Sequence, residues 1–304
     1  MPHGWPVGAR CAGRGRVAER FGAFVAIDWS GAAGERQAGL AVAMCGPGRA
    51  APRLVRPGHR WSRVDVAAWL ATDLPEAALV GIDSAPALPF VDEGAYFPGW
   101  NASPADARAL WALVEDICAA DPHLAATSFC DHPQASRHFR RHGGRVGDRF
   151  GRGRGRLRVT ERGQQAMGLS PYSCLNLVGA AQVGKSSLTT MRMLNRLAGL
   201  AVWPIDPLPA HGPVLVEIYT SLAARAAGGR AGRSKLREAA ALDVALAALG
   251  CAPSGLHGAI ADHASDAILA AAWLRTVAHD PRLWSPAGLS ADVARTEGWT
   301  FGVP

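Results

Sequence analysis

The sequence predicts an α/β domain in which helices flank a mixed β-sheet, with an insertion rich in arginine and glycine. Three observations predict this class. Several apolar runs have the length and composition of buried strands. Segments with apolar residues at helical spacing lie between and after these runs. Acidic residues stand at or near the ends of the strand-like runs and at the start of the last helical segment.

The N-terminal part begins with a predicted β-hairpin. AFVAID at 23–28 and AGLAVAM at 38–44 are strand-like, and the Gly-rich segment WSGAAGER separates them. Residues 52–57 predict a short third strand, which the prolines at its ends restrict to a sheet edge. A helix is predicted over 62–71, where a serine takes the N-cap position. AALVGID at 77–83 is apolar up to its final aspartate, which indicates a strand buried on both faces.

The segment 91–165 is expected to be an insertion outside the core. A helix is predicted over 103–120, where Ser-Pro opens an amphipathic pattern. Residues 137–162 contain ten arginines and two acidic residues, a net charge of +8, whereas the whole chain carries +7. Such an arm on a mildly acidic body is expected to bind a polyanion such as nucleic acid. The alternative is a solvated Gly/Arg loop with no ligand.

The pattern of a folded core resumes after this segment. CLNLVG at 174–179 and VLVEIY at 214–219 predict strands. Helices are predicted over 186–198, over 235–249 and, as the longest, over 261–279.

The predicted divisions are a disordered basic leader over 1–21, one domain over 22–282 and a C-terminal tail over 283–304. No apolar run approaches the roughly 18 residues of a membrane span, and the leader lacks the apolar centre of a signal peptide. The six cysteines are scattered, which argues against a zinc ribbon and a disulfide framework. The sequence therefore predicts a reduced, cytoplasmic protein without a membrane partner.

Five acidic residues and one histidine are candidates for a metal site: Asp28, Asp83, Glu217, Asp262, Asp266 and His263. Carboxylates gather in an apolar core only with a cation or a proton. Oxygen ligands favour hard cations, so Mg²⁺ or Mn²⁺ is expected. Two such ions about 3.5–4 Å apart are able to clamp the attacking and leaving oxygens of a phosphodiester. His263 and Asp266 are three residues apart, so they share a helix face.

Each candidate also has a structural interpretation, and the sequence leaves both open. Asp28 is suited to an Asx-turn and Asp83 to a loop cap. Glu217 is suited to an ion pair with an arginine, Asp262 to an N-cap, and His263 to the protein surface.

The order of these features resembles the ribonuclease H superfamily, and its RuvC-like resolvase branch most. Asp28 stands on a first strand before a hairpin and a helix, Asp83 on a fourth strand, and His263-x-x-Asp266 on a C-terminal helix. More narrowly, the chain resembles domain-of-unknown-function family 429, whose members are predicted ribonuclease H-like nucleases, over residues 22–280. The similar segments are VAIDWSG, GIDSAPALP, RVTE, LVGAAQVGKSSL, VLVEIYTSL and DHASDAILAAAW.

The resemblance implies a ribonuclease H-like mixed sheet and metal-dependent hydrolysis of nucleic acid to 5′-phosphate and 3′-hydroxyl ends. Asp28 would bridge two Mg²⁺ or Mn²⁺ ions, and Asp83 and Asp266 would each hold one. His263 would be a further ligand or a general base. Glu217 has no fixed counterpart in the superfamily and would hold a metal, orient a water or serve a role particular to the family.

A second motif, GAAQVGKS, matches the phosphate loop Gly-x4-Gly-Lys-Ser of nucleotide hydrolases. In such a loop Gly179 and Gly184 let backbone N–H groups turn inward, Lys185 binds phosphates and Ser186 binds Mg²⁺. The same enzymes need an apolar strand ending in a magnesium-binding aspartate, and the candidate AVWPID is interrupted by a proline.

Three interpretations of GAAQVGKS follow: a nucleotide hydrolase, a phosphate contact within a nuclease, and a structural turn. In the second, the predicted phosphate or nucleic-acid contacts are Gly184, Lys185, Ser186, Arg152, Arg154, Arg158 and Lys235. An actin-like ATPase or kinase would use the hairpin DWSGAAGER, but a second Gly-rich phosphate hairpin is missing from the sequence. A non-catalytic nucleic-acid-binding protein, which binds through its Arg/Gly arm, is also open.

Overall fold

A computed structural model describes residues 20–179, 183–229 and 236–304. The predicted leader over 1–21 therefore lies, apart from its last two residues, outside the described residues. Lys235 lies outside them as well. The described residues form a mixed β-sheet with helices on both faces.

The sheet has six strands in the order β3-β2-β1-β4-β6-β5. Their bounds are β1 Ala23–Asp28, β2 Ala41–Cys45, β3 Arg53–Leu54, β4 Ala78–Ile82, β5 Ala201–Trp203 and β6 Val214–Glu217. β2 is antiparallel to both β1 and β3, whereas β1, β4, β6 and β5 are parallel to one another. The C-terminal ends of these four parallel strands therefore lie at the same edge of the sheet.

The described residues contain nine α-helices. Their bounds are α1 Arg63–Thr72, α2 Ala107–Ile117, α3 Thr127–Asp131, α4 Val159–Ala166, α5 Val183–Arg196, α6 Thr220–Ala226, α7 Ala239–Ala248, α8 Asp262–Val277 and α9 Ala291–Thr296.

Two apolar clusters form the core, one on each face of the sheet. Val25 and Ile27 of β1 pack in the cluster that includes residues of α1, α2 and α5. Phe24 and Ala26 pack in the other cluster, which includes residues of α6, α7 and α8. Because successive side chains of a strand point to opposite faces, this alternation also decides which face each acidic residue at a strand end occupies.

The structure confirms the predicted hairpin of β1 and β2 and the short edge strand β3. It also confirms the helix after Ser62. The Ser62 hydroxyl accepts a hydrogen bond from the backbone N–H of Asp65 at 2.9 Å, and the Asp65 carboxylate accepts one from the N–H of Ser62 at 3.1 Å. This reciprocal cap satisfies two N–H groups that have no partner within the helix.

The segment 91–165 contributes to the core, contrary to expectation. Leu110 and Trp111 of α2 are buried in the cluster that also contains α5. Farther along, Phe150 is buried, and the buried Arg156 donates to the Asp92 carboxylate at 2.6 Å. The net charge of this segment gave no indication of these buried contacts, because it counts buried and exposed arginines alike.

The C-terminal segment 283–304 is part of the fold rather than a tail. It contains α9, and Trp299, Phe301 and Val303 after α9 are buried in the core. The N–H of Phe301 donates to the Glu217 carbonyl at 2.8 Å, so the chain end is hydrogen-bonded to the end of β6.

The predicted strand at 174–179 was wrong. Two hydrogen bonds connect this segment to Arg140, but it joins none of the six strands of the described sheet. Its apolar residues Cys174, Leu175 and Leu177 are buried, and the first two lie in a turn. The strand that pairs with β6 on the side away from β4 is instead β5, which ends before Pro204, a residue without an N–H to donate.

None of the helices in the described ranges combines the length and the apolar character that a bilayer crossing requires. The five cysteines in the same ranges are free thiols.

Candidate functional site

A cleft of about 440 Å³ opens where the parallel strands end. Asp83 and Glu217, from the ends of β4 and β6, line it together with His263 from α8. Ser186 of α5 and the exposed Tyr172 also line it. The sheet edge thus brings together residues that lie far apart in the sequence.

Asp28 and His263 are in direct contact in this region. Asp28 is the last residue of β1, and His263 lies in the first turn of α8. The His263 Nδ1 atom lies 2.6 Å from Asp28 Oδ2. Gly39 leaves room for the imidazole ring, because a Cβ there would lie 3.0 Å from its Cε1 and Nε2 atoms. Two of the candidate site residues, one from the first strand and one from the last long helix, are therefore in contact.

Asp83 follows β4 directly, and its backbone N–H donates to the Ile27 carbonyl at 2.9 Å. Its carboxylate accepts a hydrogen bond from Thr220 Oγ1 at 2.9 Å. Burial, and after it the negative charges of Asp28 and Asp266, raise the pKa of Asp83 to about 7 against the opposing effect of the Thr220 hydrogen bonds. Asp83 is thus held by a hydroxyl donor in a negative environment.

The donor set fits a hard divalent cation in its chemistry. The charges of Asp28 and Asp266 both act on Asp83, and a cation bound among these carboxylates would offset the repulsion. Within residues 20–179, 183–229 and 236–304, no three His, Cys, Asp or Glu side chains have the arrangement of a metal site as they stand. Ion binding therefore requires these side chains to close around the cation.

Glu217 does not belong to the group of aspartates, although it was a predicted catalytic residue. Its neighbours Val216 and Ile218 pack in the cluster on the α8 face, so Glu217 points to the opposite face of the sheet. There its two oxygens lie 2.6 and 2.8 Å from the Arg158 guanidinium, and Thr300 Oγ1 donates to it at 2.8 Å. The ion pair with an arginine is the correct interpretation.

Arg158 is likewise not the nucleic-acid contact that was predicted. It is 1% exposed, and it contacts the carboxylates of Glu217 and Glu161 and the carbonyl of Glu297. Burial would lower the pKa of Arg158, but the charges of Glu217, Cys174 and Glu161 raise it well above its usual range. Arg158 is therefore a fully charged anchor beneath the cleft.

Asp262 is engaged away from the other aspartates. Both of its carboxylate oxygens accept hydrogen bonds from Arg237, at 2.7 and 3.0 Å. This ion pair gives Asp262 a structural role. Asp262 is the first residue of α8 and Ala261 is its N-cap, so the N-cap interpretation of Asp262 was wrong.

The described part of GAAQVGKS does not form the loop of a nucleotide hydrolase. The N–H of Gly184 donates to the Asn176 carbonyl at 3.0 Å, and a Cβ on Gly184 would lie 2.3 Å from the Cys174 carbonyl oxygen. Gly184 is thus required for packing rather than for phosphate contact. Ser186 lines the cleft that contains Asp83, which we call the aspartate cleft, whereas Lys185 lines a different cleft. The two side chains therefore do not contact the same phosphate group.

The predicted contacts Arg152 and Arg154 are exposed. The guanidinium carbon of Arg154 lies 5.5 Å from the centre of the Tyr172 ring, and Tyr172 lines the aspartate cleft. The sequence did not single out Tyr172 or Thr220. For Thr220 a signal existed, since it follows the strand-like run that carries Glu217, whereas only the structure relates Tyr172 to the cleft.

Comparisons of the chain with protein-family models, with curated proteins and with solved structures found no match. The site is therefore interpreted from its own geometry and chemistry.

Proposed function

We propose that this protein is a metal-dependent nuclease that hydrolyses phosphodiester bonds of nucleic acid. The observation that carries the proposal is the group of Asp28, Asp83 and Asp266 beside an open cleft, where burial and then the charges of Asp28 and Asp266 raise the pKa of Asp83. Carboxylates with a perturbed pKa that lie in a cleft are typical of functional sites.

The sheet supports a ribonuclease H-like fold and the resemblance to domain-of-unknown-function family 429. β1, β2 and β3 form an antiparallel meander, and β4 returns parallel to β1 after helix α1. This order sets Asp28 and Asp83 at the ends of neighbouring strands. α8 then adds His263 and Asp266 across the face that both aspartates occupy.

In this proposal Asp28, Asp83 and Asp266 hold Mg²⁺ or Mn²⁺ ions. Such ions supply Lewis-acid stabilisation of the charge that develops on phosphate oxygens. The Thr220 hydroxyl orients the Asp83 carboxylate, because it donates to Oδ2 and leaves Oδ1 with only the longer contact, at 3.4 Å, to the Thr220 N–H. Asp83 has to release its proton before it binds a cation, so activity increases as pH passes its pKa.

His263 is suited to accept a proton during the attack of water. When Nδ1–H donates to the Asp28 carboxylate, Nε2 is the unprotonated nitrogen of the ring. Asp28 fixes that tautomer and the orientation of the ring, as carboxylates do for catalytic histidines. The ring lines the cleft in which the substrate would lie.

Tyr172 and Arg154 supply a surface for the nucleic acid at the same cleft. Tyr172 is 46% exposed, and an exposed aromatic ring is able to stack on a base of any sequence. Arg154 beside it offers a charge to the backbone phosphates. This combination favours a nucleic-acid strand over an uncharged substrate.

The proposal is tested with a labelled oligonucleotide incubated in MgCl₂, in MnCl₂ and in EDTA. We expect cleavage in either metal and none in EDTA, with 5′-phosphate and 3′-hydroxyl ends on the products. Asp28→Asn should lower the rate at least ~100-fold, because the lost carboxylate supports several kcal/mol of transition-state stabilisation. The matched control is Asp116→Asn, which changes an exposed aspartate on α2 and should leave the rate unchanged.

Two outcomes contradict the proposal. Equal cleavage by the wild type and by Asp28→Asn would exclude Asp28 from the reaction. Tight binding of the oligonucleotide without cleavage in either metal would instead favour the non-catalytic binding protein.

A further inference from the structure

A second cleft, of about 350 Å³, lies on the other side of the loop at Gly31 and Ala32, which contribute to both clefts. Its volume is within the range of roughly 300–1,000 Å³ that is usual for small-molecule sites. Asp28, Asp83 and His263 do not line it, so the hydrolytic site does not explain it.

Cationic side chains dominate this second cleft. Arg63, Arg141, Arg145 and Lys185 line it, and Asp131 is the one carboxylate among the lining residues that the structure describes. Asp131 is 2.9 Å from Arg141 and offsets only that charge. Among the described residues, Lys185 has no carboxylate oxygen within 4 Å, which is the limit of an ion pair. The cleft thus carries an excess of positive charge.

Arg63 is the residue that most requires a counter-charge. It is 1% exposed and donates only to backbone carbonyls: Nε to His123 at 2.9 Å, and Nη1 to Ser30 and Ala32 at 3.2 and 2.9 Å. Its Nη2 group donates to no atom of the described residues. Burial and the charge of Arg192 lower the pKa of Arg63 to about 10, so the guanidinium stays charged at neutral pH. Buried charges are normally paired, and here the described chain supplies no carboxylate.

The wall of the cleft also has features of a ligand site. His123 and Leu124 have φ angles of 55°, a left-handed conformation that is rare for residues other than glycine. Such strained backbone concentrates at functional sites. The carbonyl of His123 is the one that holds Arg63 Nε. The strained turn therefore positions the buried cation.

Apolar groups complete the lining. Pro122, Ala126 and Leu177 line the cleft beside the cations. A purely ionic partner such as inorganic phosphate would leave this surface unused. A phosphate ester with a planar, largely apolar body would use both, since the base would lie against the small side chains and the phosphate near Lys185.

We propose that the second cleft binds a nucleoside monophosphate unit, with its phosphate at Lys185, Arg145 and the Nη2 group of Arg63. This unit is either a free mononucleotide or the phosphorylated end of a nucleic-acid strand. Only the second source rests on the proposed function. The loop at Gly31 places the cleft next to the aspartates. A strand with its 5′-phosphorylated nucleotide here would lead directly toward the hydrolytic site.

The test measures binding to the full chain by isothermal titration calorimetry, in EDTA and with Asp28→Asn in every protein so that no strand is cleaved. The ligands are adenosine 5′-monophosphate, adenosine, inorganic phosphate and a trinucleotide with either a 5′-phosphate or a 5′-hydroxyl. Lys185→Gln and Arg145→Gln each remove one cation of the cleft. Arg282→Gln removes an exposed cation elsewhere and is the matched control.

We expect adenosine 5′-monophosphate to bind more tightly than adenosine or phosphate, and Lys185→Gln to raise its Kd ~10-fold. Arg145→Gln should weaken binding in the same direction, and Arg282→Gln should not. Binding of the 5′-phosphorylated trinucleotide without binding of the mononucleotide also supports the proposal and identifies the strand as the source.

Equal affinity of the Lys185→Gln, Arg145→Gln and Arg282→Gln proteins for the phosphorylated ligands would overturn it. So would equal affinity for the 5′-phosphate and 5′-hydroxyl trinucleotides when the mononucleotide does not bind. These results leave the nuclease proposal standing if the wild type still cleaves in magnesium. If the wild type does not cleave in magnesium but adenosine 5′-monophosphate still binds in the second cleft, the nuclease proposal is refuted and the proposed binding site stands.

Discussion

Asp83 gives the molecule a pH dependence with a definite sign. An ordinary aspartate titrates near pH ~4, whereas burial and the charges of Asp28 and Asp266 raise the pKa of Asp83 to about 7. Between these values the folded protein binds more protons than the unfolded chain, so this residue lowers the free energy of unfolding as pH rises. We expect Asp83→Asn to remove this decrease in the free energy of unfolding when it is measured in EDTA.

The measurement is urea denaturation at pH 5 and pH 8 for the wild type and for Asp83→Asn. The variant should gain stability relative to the wild type between these two values, because the amide does not ionise. Asp116→Asn, on the exposed side of α2, should show the same difference from the wild type at both pH values. A constant difference for Asp83→Asn as well would mean that Asp83 does not titrate in this range.

Single residues at strand ends were predictable only in part. Asp28 and Asp83 end buried parallel strands, and such ends share one edge of a sheet, so their proximity followed from the sequence. Glu217 ends the next strand, but its side chain points to the other face, where Arg158 binds it. A shift of one residue exchanges the two faces, and the sequence did not specify that register.

At the scale of elements, predictions succeeded where the spacing of apolar residues was regular or a helix N-cap residue was present. The helices α1 and α8 and the strands β1 and β4 lie close to their expected positions. The run at 174–179 was assigned as a strand because a short, largely apolar run does not distinguish a strand from a buried turn. β5 was not predicted because Pro204 interrupts the candidate run AVWPID, and the strand consists only of the three residues before that proline.

The C-terminal segment 283–304 has no clear apolar periodicity, yet it contributes to the stability of the fold. Trp299 is 2% exposed, and its Nε1 donates to the Val303 carbonyl at 2.9 Å. Trp299→Ala should lower the free energy of unfolding by about 4 kcal/mol, since it removes a large buried ring and leaves a cavity. Urea denaturation followed by circular dichroism measures this change.

Val244→Ala is the control for that substitution. Val244 lies on α7 and is 73% exposed, so its truncation should change stability by no more than about 0.5 kcal/mol. If the two variants unfold at the same urea concentration, the segment 283–304 does not belong to the cooperative core. Failure of Trp299→Ala to fold at all would agree with the expected direction.

At the scale of the whole molecule, the arginines divide into two groups with different roles. Arg63, Arg156, Arg158 and Arg192 are buried and hold loops and helices together. Net charge along the sequence does not separate these from surface arginines, which is why deletion of the arginine-rich stretch is not a valid test of binding. A deletion over 145–157 would remove Phe150 and Arg156 from the core.

Substitution of exposed arginines alone tests the electrostatic part of nucleic-acid binding. Arg149, Arg152 and Arg154 are exposed in the arginine-rich segment. Each phosphate contact contributes about 0.7 to 0.9 to the slope of log K against log salt concentration. The triple change of these residues to glutamine should therefore reduce the magnitude of the slope by roughly 2 to 3, as measured by fluorescence anisotropy of a labelled oligonucleotide between 50 and 200 mM salt.

The matched control changes Arg53, Arg60 and Arg282 to glutamine. These residues are exposed outside the arginine-rich segment, so the protein loses the same net charge. Because salt screens charges beyond roughly 10 Å, this loss should leave the slope almost unchanged if the strand contacts the segment containing Arg152 and Arg154. Equal reductions in both triple variants would show that the protein attracts nucleic acid through its total charge, and that this segment is no binding surface.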